Sequence, residues 1–209
     1  MSFANKVVII TGASTRADVS NDEDAKRIIE ETIEKYGKLD ILVNNAGILG
    51  FDGILSDNIM SVFDSIMKVN LRAAVYMNHL AAPHIIKTKG NIINISSVVG
   101  KITYKQFPIL CYSALKAALN HFTRHVAGEL AQHGVRVNTI SPGPVKTDLF
   151  SNAFTELPTP QSNVEQISTP LGRISEAKEI ADLILFVASD KAKAMTGSDY
   201  VTDNGSTLM

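Results

Sequence analysis

Three apolar runs in this chain end alike, and that shared ending limits what it can fold into. Leu39–Val43 passes into Asn44-Asn45-Ala46-Gly47, Asn91–Ile95 into Ser96-Ser97, and Val135–Ile140 into Ser141-Pro142-Gly143. Runs without polar alternation are the pattern of strands covered on both sides, as in parallel sheets. Small and polar residues gathered at carboxyl ends suit an open parallel sheet, where ligands lie beyond those ends. Between the runs lie helical patterns. Ala25, Ile28, Ile29, Thr32, Ile33 and Tyr36 recur at three- and four-residue spacing before Gly37, and Ser20-Asn21-Asp22-Glu23 reads as a capping box that opens this helix. Longer patterns cover 61–86 and 108–133, and a shorter one lies near Glu176–Ala188. A first strand over Lys6–Thr11 and a last one near Asp199–Thr202 complete the set. Strands alternating with helices of this length predict an α/β fold, a doubly wound parallel sheet. With no repeat or linker in view, residues 1–209 are expected to form a single domain.

The chemistry concentrates at Tyr112-Ser113-Ala114-Leu115-Lys116, with Ser97 fifteen residues upstream at the end of a predicted strand. A tyrosine at i and a lysine at i+4 share one helix face. A phenol keeps its proton to a pH of about 10, and a nearby ammonium is expected to lower that value. A serine hydroxyl beside them can hold a substrate oxygen while the tyrosine gives or takes a proton. Such a group suits interconversion of an alcohol and a carbonyl, provided that a hydride carrier binds next to it.

Other segments fall into order around this group: Thr11-Gly12-Ala13-Ser14, Ala17-Asp18-Val19, Asn44-Asn45-Ala46-Gly47, Val69-Asn70, Ser97, Tyr112 with Lys116, and Pro142-Gly143 with Thr147. Taken together they resemble the short-chain dehydrogenase/reductase family across nearly the whole chain. The resemblance implies a Rossmann-like fold and NAD or NADP as cofactor, with a small-molecule alcohol or ketone as substrate. It assigns Tyr112 as general acid/base, Ser97 as the group holding the substrate oxygen, and Lys116 to the phenol and the nicotinamide ribose. Asn70 becomes the fourth catalytic residue, holding a water beyond the lysine. Gly12, Asp18, Val19, Asn45, Ala46, Gly47, Pro142, Gly143, Val145 and Thr147 become cofactor contacts, together with Tyr112 and Lys116. A homo-oligomer, tetramer or dimer, is expected through the two long helices, whose small residues include Ala73, Ala74, Ala114, Ala117 and Ala118.

The nucleotide end departs from that family's pattern. Of the three glycines in its phosphate-binding turn only Gly12 is present, and Ser14 is followed at once by Thr15-Arg16 and the Ala17-Asp18-Val19 stretch. The phosphate helix, the second strand, the next helix and most of the third strand are missing, so part of the nucleotide-binding half is lacking. Either the chain is shortened, or a further segment belongs between Ser14 and Thr15. The all-apolar pattern of Val7–Ile10 predicts burial on both faces and favours the second. The first leads to an alternative function, a non-catalytic binding or regulatory protein with a truncated nucleotide site.

Composition removes other classes. With 20 basic against 21 acidic residues and no block of one sign, nothing suggests a nucleic-acid partner. The single cysteine, Cys111, excludes an internal disulfide and reads as a packed thiol. No apolar run is long enough for a membrane span, and the amino terminus lacks a signal-peptide layout, so a cytoplasmic protein is expected. His79, His84, His121, His125 and His133 show no metal-like grouping, and no metal is expected. Residues 146–172 are expected to form a substrate lid, whose Leu149, Phe150, Phe154 and Leu157 suggest an apolar substrate.

Overall fold

A computed structural model describes residues 3–13, 17–104, 107–149 and 168–209. The chain runs β1 (Val8–Ile10), α1 (Asp22–Tyr36), β2 (Ile41–Asn44), α2 (Ile59–Met67), α3 (Ala73–Thr88), β3 (Asn91–Ile95), α4 (Leu110–Ala131), β4 (Arg136–Pro142), β5 (Val145–Lys146), β6 (Ser175–Glu176), α5 (Ala177–Ala188) and β7 (Asp199–Thr202). Strands β1, β2, β3, β4 and β7 form one sheet in that order, every neighbouring pair parallel. β5 and β6 make a separate short parallel pair. Among the described residues no helix is long and apolar enough to cross a membrane.

Helices cover both faces of the sheet. On one, Ile9, Leu42, Ile92 and Val137 pack with Ala25 and Ile29 of α1, Met77, Ala81 and Ile85 of α3, and Ala127 and Leu130 of α4. On the other, Ile41, Val43, Ile93 and Ile140 meet Ile180 and Val187 of α5. Near the carboxyl ends of β2 and β3 the layers are joined by polar contacts. Asn44 and Asn78 donate to Oδ1 of Asn94 at 2.8 and 3.3 Å, and Asn94 donates to the Thr123 hydroxyl at 2.9 Å. Buried in a low-dielectric core, these bonds fix β2, β3, α3 and α4 relative to one another.

Two local expectations are corrected. The cap of α1 is Asn21, whose side chain accepts from the amides of Glu23 and Asp24, because the Ser20 hydroxyl is drawn to Asp18 instead. The long helix predicted over 61–86 is α2 and α3 joined by one π-helical turn, Lys68–Arg72, that carries Asn70. Gly37 ends α1 at φ 72°, a left-handed conformation that glycine adopts without strain.

The largest departure is at β1. By register Val8 stands beside Ile41 and Ile10 beside Val43, on the α5 side of the sheet, where they remain 40% and 53% exposed. Its apolar sequence predicted burial on both faces; the structure makes it the sheet's edge, with only Ile9 buried. The nucleotide-binding order 3-2-1-4-5-6 sets two more strands beyond the first. Residues 11–21 lead from β1 to α1, which packs on the Leu42 and Ile92 side of the sheet and leaves the Val8 and Ile10 side of β1 open. The Ser14–Thr15 junction itself lies outside the described residues, as does most of the expected lid.

Candidate active site

Ser97 follows β3 and starts a short 3₁₀ turn, Val98–Gly100, whose Val99 amide donates to its hydroxyl at 3.4 Å. Tyr112 and Lys116 stand in the first two turns of α4. That helix begins where it does because of Asp52. The buried carboxylate accepts from the Cys111 amide at 3.1 and 3.3 Å, and the Asp52 amide donates to the oxygen of Pro108 at 2.6 Å. A carboxylate at a helix start takes up free amides and complements the dipole. The turn after Ser97 lies hard against the same helix. A Cβ at Gly100 would be 2.8 Å from the Ala117 nitrogen and 2.9 Å from the Lys116 carbonyl carbon. The Ser96 hydroxyl donates to the Lys116 oxygen at 3.1 Å. Strand end and helix are thereby held in one register, and Ser97 is brought to Tyr112.

The electrostatics differ from the expectation. Burial pushes the Tyr112 phenol up to about 12, while a hydrogen bond with the Ser97 hydroxyl pulls the other way. Burial also pulls the Lys116 ammonium down to about 8. Its Nζ donates to the Ile95 oxygen at 2.9 Å and lies 5.5 Å from the centre of the Tyr112 ring. The predicted lowering of the phenol by the lysine is therefore not found: desolvation dominates. Tyr112 therefore keeps its proton at neutral pH.

The loop after β2 is built on β1. The Thr11 hydroxyl accepts from the amides of Asn45 and Ala46, both at 3.0 Å, and the Asn45 side chain donates to the Thr11 oxygen at 3.0 Å. Asn70 lies beneath this loop, 2% exposed, accepting from the Ile48 amide at 2.8 Å and donating to the Ile48 oxygen at 2.7 Å. Both ends of its amide are thus engaged, which ties the wide turn to the loop after β2. On the opposite side, the Gly143 amide donates to Thr202 at 3.0 Å, and a Cβ there would meet the Cα of Asp203 at 2.7 Å.

These parts enclose a cavity of about 1280 Å³. Every predicted site residue lines it except Asn70: Gly12, Asp18 and Val19 at one end, Asn45, Ala46 and Gly47 along one wall, Ser97, Tyr112 and Lys116 at the floor, and Pro142, Gly143, Val145 and Thr147 opposite. Leu49, Ile66, Val99, Phe107, Ile180 and Ile184 make much of the remaining wall apolar.

The two ends are not alike. Around Lys116 the wall is small: a Cβ on Gly47 would stand 3.9 Å from the lysine Nζ and 3.3 Å from the Asn70 Oδ1. A ribose and a flat ring can lie close to the main chain there. At the Asp18 end the first helix after β1 opens with Asp22, Glu23 and Asp24, and its amides are occupied by Asn21. The Asp18 carboxylate accepts from the Ser20 amide and hydroxyl at 2.9 and 2.8 Å, and the Asp18 amide donates to Asp24 at 2.8 Å. The wall around Lys116 and Gly47 could hold a nicotinamide ribose.

Other candidates stay apart from this chemistry. Cys111 is buried, its thiol raised to about 11 chiefly by burial and further by Asp52. His121 and His125 approach to 3.1 Å between Nε2 atoms, but among the described residues no group of three or more His, Cys, Asp or Glu could hold a metal. Sequence reasoning gave no role to Thr11, Asp52 or Gly100. Thr11 sat in a recognised motif, but its partners are 34 and 35 residues away, and Asp52 meets Cys111 across 59 residues.

The architecture matches solved structures. A crystal structure described as a short-chain dehydrogenase/reductase of unknown function from Caenorhabditis elegans, with cofactor, superposes with a TM-score of 0.82 at 33% identity, covering 92% of this chain and 74% of the other. A family model described as enoyl-(acyl carrier protein) reductase matches residues 4–207. The chain belongs to the short-chain dehydrogenase/reductase family. Bovine (Bos taurus) L-fucose dehydrogenase is 35% identical over 193 residues, 91% of this chain and 70% of the relative. The 3-oxoacyl-acyl-carrier-protein reductase of Thermotoga maritima is 34% identical over 189 residues, 90% of this chain and 74% of the relative. Membership makes this an oxidoreductase fold of the NAD(P)-dependent class acting on small molecules, with the preference between the two cofactors open.

Proposed function

We propose that this protein interconverts a secondary alcohol and its ketone, with Tyr112 as the proton donor or acceptor. The observation that carries the reading is the joining of Ser97, Tyr112 and Lys116 at the floor of one cavity, with Ser97 bonded to Tyr112. A nicotinamide held between the Asn45–Gly47 loop and the Pro142–Thr147 segment supplies or accepts the hydride. The Ser97 hydroxyl positions the substrate oxygen. Tyr112, protonated at neutral pH, gives its proton to that oxygen as charge develops on it. Lys116, still mostly charged at neutral pH, binds the ribose and favours the phenolate when Tyr112 gives up its proton. The apolar wall favours a substrate with a hydrophobic ring or chain. A cytoplasmic setting and a homo-oligomer belong to the same reading.

A second reading has its own observation: of the phosphate-binding turn only Gly12 is present, which favours a non-catalytic binding or regulatory protein with a truncated nucleotide site. Assay of a panel of apolar ketones with NADH and NADPH separates the two. Activity that falls at least about a hundredfold in Tyr112→Phe, the lower range for general acid–base catalysis, supports the enzyme. Activity retained above a tenth in that variant, or none in the parent, overturns it.

A further inference from the structure

His121 and His125 stand four residues apart on α4, both exposed, and their Nε2 atoms hydrogen-bond each other at 3.1 Å with the ring centres 4.7 Å apart. Neither lines the cavity. Two zinc–nitrogen bonds of about 2.0–2.1 Å that open at about 100–110° span about 3.1–3.4 Å, so the pair already has the bite of a chelate. Histidines at i and i+4 on one helix face are a recurring zinc-binding pair. An ion set just off the line between the two nitrogens replaces the proton that they share, and exposed rings can turn to meet it.

Two imidazoles leave such an ion two ligands short of four. Among the described residues no third His, Cys, Asp or Glu joins them. The helix surface leading to the pair shows where the rest comes from. Ala114, Ala117 and Ala118 are exposed and precede His121 and His125 in one stripe at three- and four-residue spacing. Their short side chains let a second α4 come close, because the distance between packed helices is set by the residues at the contact. A two-fold axis presents the same patch from both copies, so an axis passing beside the pair sets it opposite itself.

We propose that His121 and His125 bind a divalent transition-metal ion of the zinc class, shared with the same two histidines of a second copy across facing α4 helices. The ion then has four imidazole nitrogens in a closed tetrahedral set, as structural zinc sites do, and takes no part in the chemistry at Tyr112. An ion that needs both copies must strengthen their association by the same factor by which association strengthens its binding.

Zinc chloride titrated into the EDTA-treated and dialysed 209-residue protein at about pH 7.5, followed by calorimetry and by sedimentation equilibrium, tests this. Expected are about half an ion per chain, a dissociation constant in the micromolar range or tighter, and self-association at least about tenfold stronger with zinc than with EDTA. His121→Gln and His125→Gln, both at exposed positions, each lose that stoichiometry and the zinc effect while keeping the parent's circular dichroism. No saturable binding up to about 100 µM zinc, one ion per chain, or unchanged binding in both variants overturns the inference. Equal association with zinc and with EDTA overturns it too, and leaves the oligomer standing. The ketone assay is independent of all these results, so the oxidoreductase reading is judged apart from them.

Discussion

Lys116 donates its Nζ to the main-chain oxygen of Ile95 at 2.9 Å, so a buried ammonium faces a neutral dipole rather than a carboxylate. The loss of water around the charge is only partly offset, and its pKa falls to about 8. Tyr112, one turn earlier, is shifted the opposite way for the same reason, to about 12. Both groups are most comfortable uncharged, and that makes the protein's stability depend on alkaline pH.

The sign follows from proton counts. Between about pH 8 and 10.5 the unfolded chain holds a proton on Lys116 that the folded chain has lost, so stability rises with pH. Between about pH 10 and 12 the folded chain keeps the Tyr112 proton that the unfolded chain has lost, so stability falls. Urea unfolding from pH 7 to 11 is expected to show a maximum near pH 10, with a rise on the order of 2–3 kcal/mol before it. Lys116→Met should flatten the rise. A flat parent profile between pH 8 and 10 would contradict the buried ammonium.

Thr11→Val removes the acceptor shared by the Asn45 and Ala46 amides and leaves both without it. A cost of about 1–3 kcal/mol is expected, with weaker nicotinamide binding, whereas Thr11→Ser keeps both properties near the parent. Equal melting temperatures for the valine and serine variants would remove Thr11 from this role.

Gly100→Ala places a methyl group against the Ala117 nitrogen and Lys116 carbonyl carbon, which are main-chain atoms that cannot rotate away. The turn must then shift from α4 and take Ser97 with it. Expected are a loss of about 1–3 kcal/mol and a fall in kcat larger than the change in KM. Unchanged kcat in a folded variant would show that the contact does not set the Ser97–Tyr112 geometry.

The oligomer expectation is sharpened by burial. Ala73 and Ala74 lie inside the protomer, whereas Ala114, Ala117 and Ala118 are exposed along α4. Light scattering at micromolar concentration is expected to give at least a dimer, and Ala118→Arg a smaller species. A monomeric parent would end the idea.

The parallel strands, helix endings and Tyr112/Lys116 face were legible because each depends on residues close in sequence: apolar runs, Gly37 and a four-residue spacing. What the sequence withheld depends on distant partners. The Cys111 amide finds Asp52 across 59 positions, and Asn70 reaches Ile48 across 22. The direction of the Tyr112 shift follows from burial, which no spacing reveals. β1 shows the limit most clearly. Val8 and Ile10 have the composition of a covered strand, and only the arrangement of neighbours exposes them. The choice of Asn21 over Ser20 as cap turned on Asp18 competing for the serine.

The edge position of β1 reaches beyond the sheet. Edge elements open locally at low free energy, and this three-residue strand is bonded to one neighbour only. Thr11 follows directly, so each fraying event that detaches it also releases the Asn45 and Ala46 amides. Amide hydrogen exchange at residues 8–11 and 45–46 should therefore proceed as one cooperative unit, faster than at Ile92 or Val137 in the middle of the sheet. A ligand that needs the ordered loop slows that exchange in proportion to its occupancy. The reach of the nicotinamide wall is thus set by how long the terminal strand stays zipped, which makes the least protected strand the clock of the site.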